Sequence, residues 1–469
     1  MNNKIKYHKW SKKENKKLFN SFKEKIDISS YNFQYYYPIM SLYFHIHNSK
    51  NAHKTIDFER RFYIQEIINK KTDDDYNSNC ILDIKLFDSH KNQKYNCEAF
   101  CKSISILDLQ HVINNNYNLL TNHTNSLSSP YNFNTFSKIN DMNNSAYIDL
   151  FCSFFFSSIT ENNILPNFPI FYGSLNCIGK IKYDITEDYS YIKDDYNFNK
   201  KIRNKYTLIK YVDSDDESES NYSETNNDYI MNINKTPLVY IFSEKLIETL
   251  EELIINEGFE SKYLISCLFQ VSYALLYLQN NYSFTHNDLH INNIMYTKTK
   301  RAHIYYKINN QYFKVPTYGM IFKIIDFGRS ILTVNNKLFY NDCFSQYGEA
   351  YGQYYYPNQV SFYKKEKLPN IIKPNYSFDL CRLSITILEV IERYNIFITN
   401  ELEKLLYHMV TDSKGNNYME HNDTFDLYIN IAKYSKNANP SEILQNNIFN
   451  QYKIKKKHIS SRYNVYKMN

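Results

Sequence analysis

Glycine is the first thing this chain lacks. Eight glycines occur among 469 residues, and none precedes Gly173. A glycine-rich turn that lets backbone amides close on a phosphate is therefore excluded from everything before that residue. Tryptophan occurs once. The eight cysteines are scattered: Cys97 and Cys101 are the only close pair, and no second pair or histidine cluster completes a zinc site. Free thiols in a reducing compartment account for them. No window reaches the roughly 18 apolar residues that argue for a membrane span. The start is charged from Lys4 onward, with no apolar signal core. The expectation is a soluble, intracellular, cytoplasmic protein. A strong excess of either charge is missing as well. A net charge of +6, unevenly spread, does not argue for nucleic acid.

What the chain does have is apolar and aromatic mass. Hydrophobic residues make up 43%, with 47 tyrosines and 31 phenylalanines, enough for a sizeable core. The length suits two or three domains, or one two-lobed catalytic unit with insertions. Lysines crowd the first 25 residues and the run Lys453 to Lys457, and both read as solvated ends. The block DSDDESESNYSETNND, Asp213 to Asp228, is acidic and of low complexity; it reads as a disordered loop insertion. The expected division is a basic extension over 1–60, a strand-rich part with Asn-rich and acidic insertions over 61–242, a helical part over 243–452, and a basic tail over 453–469.

Along the chain, Ser11 with Glu14 three residues on predicts a capped helix to Phe22. Phe62 to Ile68 and Cys80 to Phe87 read as strands, separated by a polar turn. Lys85 lies inside the second, an expensive place for an ammonium without a partner. Residues 102–145 read as Asn- and Ser-rich with one apolar patch. Ser145 to Ile159 has helical apolar spacing and carries Asp149 early; Ile170 to Tyr172 begins a strand, and Pro237 to Phe242 is another. Leu246 to Ile255 and Ser261 to Gln279 read as helices, the latter the most regular of the chain. A hairpin around Asn309-Asn310, a helix over 380–392 and two or three more helices follow. Strands come first and helices after, which predicts an α+β fold of two lobes.

The chemistry sits at the join. FTHNDLHINNIMY, Phe284 to Tyr296, places Asp288 beside His286 and five residues before Asn293. The apolar run Ile321 to Ile325 then ends in Asp326-Phe327-Gly328. Carboxylate and amide oxygens suit a hard cation that keeps several waters. A further carboxylate off the metal can orient a hydroxyl nucleophile, the division of labour in phosphoryl transfer.

On FTHNDLHINNIMY and FKIIDFGRS, with NNSAYIDLF, NFPIFYGS, FKVPTYG and PNYSFDLCRL in support, the chain resembles the eukaryotic-type protein kinases. It looks most like the divergent kinase-like proteins of large nucleocytoplasmic DNA viruses. The resemblance covers residues 80–450 unevenly and is firm over 261–392. It implies a two-lobed, ATP- and Mg2+-dependent serine/threonine protein kinase, viral, in host cytoplasm or virion, with a protein substrate. By resemblance Asp288 orients the substrate hydroxyl, Asn293 and Asp326 bind metal, and His286 packs beneath the loop. Asp379 holds the loop backbone. Lys85 would hold the α- and β-phosphates, Asp149 would stand in for the helix glutamate that pairs with it, and Glu244 lies in the hinge to adenine, Ser243 to Leu246.

Departures accompany the likeness. The glycine loop is missing. Asn287 stands where regulated kinases carry Arg, so activity is expected not to need a phosphorylated activation segment. His290 stands where serine/threonine kinases carry Lys, and 38 residues separate Asp288 from Asp326, the hairpin filling the gap. No Ala-Pro-Glu motif follows. Two rival functions remain: a small-molecule phosphotransferase of sugar- or choline-kinase type, and a pseudokinase acting as a binding scaffold.

Overall fold

A computed structural model of the chain describes residues 4–6, 11–26, 55–57, 60–73, 76–114, 116–117, 130–202, 206–212, 227–334, 336–346, 348–356, 372–412, 414–420 and 425–468. The aromatic stretch Tyr31 to His47 and most of the acidic block, 213–226, lie outside these residues. Asn227 and Asp228 open a strand instead. The chain divides into two compact units, Met1–Leu150 with Phe171–Lys245, and Phe151–Ile170 with Leu246–Asn469.

The first unit is built on an antiparallel sheet. Its strands are β1 (Phe62–Asp73), β2 (Cys80–Asp88), β3 (Gln93–Ser105), β4 (Phe171–Asp184), β5 (Tyr206–Val212) and β6 (Asn227–Glu244). Their order is β1-β2-β3-β6-β4, with β5 paired to β6. Leu82, Ile84 and Leu86 of β2 and Ala99 and Cys101 of β3 share one face and bury it in a core that includes Leu175, Leu238 and Phe242. Alternate residues point the other way. Helix α1 (Lys12–Lys25) starts as its sequence predicts: Ser11 Oγ accepts from Glu14 N–H at 3.2 Å and the Glu14 carboxylate accepts from Ser11 N–H at 2.9 Å. The helix is more than an extension. Leu18 and Phe22 enter the sheet's core, and the Phe22 ring lies 5.4 Å from that of Phe242.

The second unit is organised around α4 (Ser261–Tyr282), in which every residue from Leu264 to Gln279 is buried. A short helix α3 (Leu250–Ile255) precedes it; Thr249 and Glu252 form a capping box, so this helix begins later than the apolar spacing from Leu246 suggests. After α4 come β7 (Ile294–Lys298), β8 (His303–Ile308), β9 (Gln311–Pro316) and β10 (Met320–Ile324). The pair β8/β9 is the expected hairpin, with Asn309 in the left-handed region at φ 50°. It joins two short end strands, β13 (Lys453–Ile454) and β14 (Val465–Lys467), in a sheet of order β13-β9-β8-β14. Strands β11 (Ile331–Val334) and β12 (Lys337–Tyr340) form a second hairpin. Helices α5 (Phe378–Arg393), α6 (Asn400–Met409) and α7 (Asp426–Tyr434) complete the unit. Of the other described helices, α2 (Ser145–Glu161) carries Asp149 in its first turns. Among the described residues no helix is long and apolar enough to cross a membrane.

Candidate active site

In the second unit the loop after α4 is fixed by a buried acid. Asp379, at the start of α5, is fully buried and accepts from the backbone N–H of His286 at 2.9 Å and of Asn287 at 2.8 Å. Asn287 adopts φ 64°, a left-handed conformation that Asn tolerates. Its side chain donates to the carbonyl of Arg329 at 3.0 Å and accepts from the Tyr354 hydroxyl at 3.0 Å. His286 is also buried, its Nε2 2.8 Å from the carbonyl of Ile325. Its ring lies 5.7 Å from Phe327, which meets Phe156 of α2 at 5.0 Å. An aromatic column therefore runs from α2 through Phe327 to the loop, as expected for His286.

Strand pairing brings the three oxygen-bearing residues together. Ile294 of β7 lies opposite Ile324 of β10, and Ile325 N–H donates to the carbonyl of Asn293 at 3.1 Å. Asn293 and Asp326 are thus neighbours at one end of this two-stranded ribbon. Asn293 Nδ2 donates to the carbonyl of Asp288 at 2.8 Å, which ties in the third. That bond occupies the amide nitrogen, and among the described residues Asn293 Oδ1 accepts no hydrogen bond. Asp326 has φ 59°, and its Oδ1 accepts from Gly328 N–H at 3.3 Å. Among the described residues no cluster of three His, Cys, Asp or Glu side chains could hold a metal by itself. The donor set here is one amide oxygen and one carboxylate, which fits a magnesium ion that takes its other ligands from phosphate and water.

Asp288 is engaged by groups the sequence did not point to. Its Oδ1 accepts from the Tyr428 hydroxyl of α7 at 2.9 Å and lies 3.5 Å from Arg329 Nη1. Burial, and then the charge of Asp288, push the Tyr428 phenol up, so it remains a donor. His290 Nδ1 accepts from Asn292 N–H at 3.3 Å, and its Nε2 lies 3.0 Å from Asn293 Nδ2. Burial holds its pKa below the ordinary 6.5, so the ring is neutral near pH 7.

In the first unit the lysine assignment changes. Asp149, 3% exposed, pairs with Lys102 Nζ of β3 at 2.6 Å, not with Lys85. Lys85 sits opposite Asn96 in the β2–β3 register, six residues along β3 from Lys102. That is roughly 20 Å of strand. Lys85 lies instead beside Glu14, Lys17 and Glu66, near α1. The physical reason is that β3, QKYNCEAFCKSIS, is half-exposed and polar, and so escapes a search for apolar strands. Leaving it out places the lysine partner of Asp149 one strand too early. The one available signal was the short apolar run Ala99 to Cys101 just before Lys102. Glu244 ends β6 opposite Ala99, and its neighbour Lys245 reaches Glu98 at 2.9 Å. The glycine-free turn before β2 lies against β3 next to Lys102, since Asn79 Oδ1 accepts from Ser103 N–H at 3.0 Å.

No family model matches the chain, and no curated protein does. Among solved structures it is similar to one described as "ROP18 kinase domain in complex with AMP-PNP and sucrose". The identity is 8%, over 84% of this chain and 83% of that chain, and the TM-score is 0.28. So loose a likeness carries no argument. The assignment rests on the strand-rich first unit, the helical second unit and the loop geometry above. The fold is α+β: a strand-rich first unit and a largely helical second unit.

Two expectations follow from this geometry. Lys102→Met removes the ion pair from a buried carboxylate and should cost about 3 kcal/mol in denaturant unfolding, whereas Lys85→Met should stay within about 0.5 kcal/mol. Equal losses would remove the distinction. The folded-state pKa of His290 is depressed, so its contribution is complete above the unfolded value of 6.5 and is lost as pH falls through the folded value. The Tm of the wild type should therefore drop further than that of His290→Gln between pH 7 and pH 5. Parallel curves would count against a buried neutral imidazole.

Proposed function

We propose that this chain is a protein kinase that transfers the γ-phosphoryl group of ATP to serine or threonine hydroxyls. One observation supports this above the others. Asn293 spends its amide nitrogen on the Asp288 carbonyl and keeps Oδ1 unbonded beside Asp326. That oxygen is not among the buried atoms left without a partner, so it opens to solvent, where a hydrated cation can reach it. In this reading Asp288 accepts the proton of the attacking hydroxyl and orients it, while Asn293 and Asp326 are the metal ligands. Lys102, held by Asp149, takes the phosphate-binding role first assigned to Lys85. Magnesium, when bound, supplies positive charge to the phosphate oxygens. The segment around Glu244 takes the hinge role. The neutral ties of Asn287 to Arg329 and Tyr354 support activity without a phosphorylated activation segment. A viral origin would agree with the resemblance of the motifs.

Asp288→Ala should lower phosphate transfer to a mixed protein substrate by roughly 100-fold or more while nucleotide still binds. Asp326→Ala should weaken Mg·ATP binding itself, read by calorimetry. Full transfer by both purified variants would sink the assignment.

A second reading, a kinase-like binding scaffold, draws on Phe100. In the Val-Ala-Ile-Lys strand motif of protein kinases the residue two before the lysine is alanine. Here it is Phe100, which by strand alternation shares the face of Lys102, with Ile81 of β2 opposite. A phenyl ring in place of a methyl group crowds whatever lies on that face. Phe100→Ala should raise Mg·ATP affinity roughly tenfold by calorimetry, since relief of a steric clash is worth 1–3 kcal/mol. An unchanged Kd would show that Phe100 leaves the nucleotide room. Absence of any ATP-induced thermal shift in both proteins, with and without magnesium, would favour the scaffold.

A further inference from the structure

The Tyr428 hydroxyl donates to Asp288 Oδ1 at 2.9 Å, the bond that an acceptor hydroxyl would make to a catalytic carboxylate. The same hydroxyl accepts from Arg382 Nε at 3.2 Å. The tyrosine ring lies between two guanidiniums, with Arg329 Cζ at 5.5 Å and Arg382 Cζ at 5.1 Å from its centroid. Arg329 has carboxylate neighbours in Asp288 and the exposed Glu349. Arg382 has none among the described residues, and its buried Nη1 makes no hydrogen bond. A buried guanidinium nitrogen without an acceptor is expensive. Through its Nε and the Tyr428 hydroxyl, this guanidinium is one hydroxyl away from Asp288.

We propose that Tyr428 holds the acceptor's place at Asp288, and that the acceptor displacing it is an acidic peptide whose carboxylate or phosphate, next to the reacting hydroxyl, is taken by Arg382. This inference deepens the kinase reading and rests on it. When the acceptor hydroxyl replaces that of Tyr428 at Asp288, Arg382 loses the phenol oxygen and gains an anion, which suits a planar guanidinium far better. A neutral or basic peptide leaves Arg382 without a partner, so specificity arises from the cost of the unfilled donor as much as from the new bond. Arg382 and Tyr428 act here as specificity and positioning residues, and Asp288 remains the catalytic one.

The test uses the full chain and two labelled, non-phosphorylatable peptides, one with alanine flanked by glutamates and one with alanine flanked by glutamines. Binding is read by fluorescence anisotropy at fixed salt. The wild type should prefer the acidic peptide by roughly tenfold, the scale of one charge-assisted hydrogen bond. Arg382→Gln should abolish the preference while leaving the glutamine peptide unaffected, and Arg382→Lys should keep part of it. Tyr428→Phe, which retains the ring between the guanidiniums, should tighten the acidic peptide several-fold. With serine versions and Mg·ATP it should raise kcat/KM. No preference in the wild type, a preference that survives in Arg382→Gln, or loss of turnover in Tyr428→Phe would each overturn the proposal. Binding and transfer separate the two readings. Selective binding without transfer to any peptide leaves the acidic-peptide site standing and removes the kinase. Transfer to neutral and acidic peptides alike does the reverse.

Discussion

The carboxylate of Asp379 is the constraint on which the second unit's chemistry depends. It is fully buried, and it accepts the backbone N–H groups of His286 and Asn287. Burial pushes its pKa up, against the pull of those two bonds. An acid in such a position is costly unless every lone pair is used well, so the loop cannot drift without leaving it unsatisfied. The loop's path then fixes everything downstream. Asn287 turns left-handed, Asp288 follows outside the core, and Asn293 returns to bond the Asp288 carbonyl. The β7/β10 ribbon carries that order across to Asp326.

How much of this was legible in the sequence follows from how local each signal is. The loop from His286 to Asn293 is a single short stretch, so its spacing shows which side chains meet. The apolar run before Asp326 shows a strand ending in an acid. The helix that holds Asp379 is amphipathic and easy to see. The lysine was not legible in the same way, because its partner Asp149 is 47 residues away along the chain. Its identity turns on counting strands, and the start of β3 hides among polar residues: Gln93, Lys94, Asn96 and Glu98 surround Tyr95 and Cys97, so no apolar run marks it. Tyr428 and Arg382 were illegible for another reason. Nothing in an amphipathic helix pattern says which of its polar residues faces Asp288.

The absence of glycine before Gly173 has a structural counterpart in the first unit. The turn leading into β2 is tied to its own sheet by side chains. Asn79 accepts from Ser103 N–H at 3.0 Å, Ser78 Oγ accepts from Lys182 N–H at 2.7 Å, and the Tyr76 hydroxyl donates to Asp228 at 2.9 Å. The Tyr76 ring also stacks on Tyr211 at 5.7 Å. A glycine loop offers free backbone amides and conformational latitude. The described residues of this turn instead use these side chains to tie it to the sheet.

Asn287 makes the corresponding exchange in the second unit. An arginine at that position presents a fixed positive charge that waits for a phosphate. Asparagine presents a neutral donor and acceptor, and both are already used: Nδ2 on the Arg329 carbonyl and Oδ1 on the Tyr354 hydroxyl. Asn341 adds a bond from its Nδ2 to the Gly328 carbonyl. The stretch after Asp326 is thus anchored at Gly328, Arg329 and Tyr354 by neutral hydrogen bonds that need no modification to form. Arg329, positioned by these anchors, places its guanidinium against Asp288 and over the Tyr428 ring. Under the proposal made above, control over this carboxylate passes from a phosphate that arrives by modification to a tyrosine already in place, and an acceptor has to compete with a phenol for Asp288.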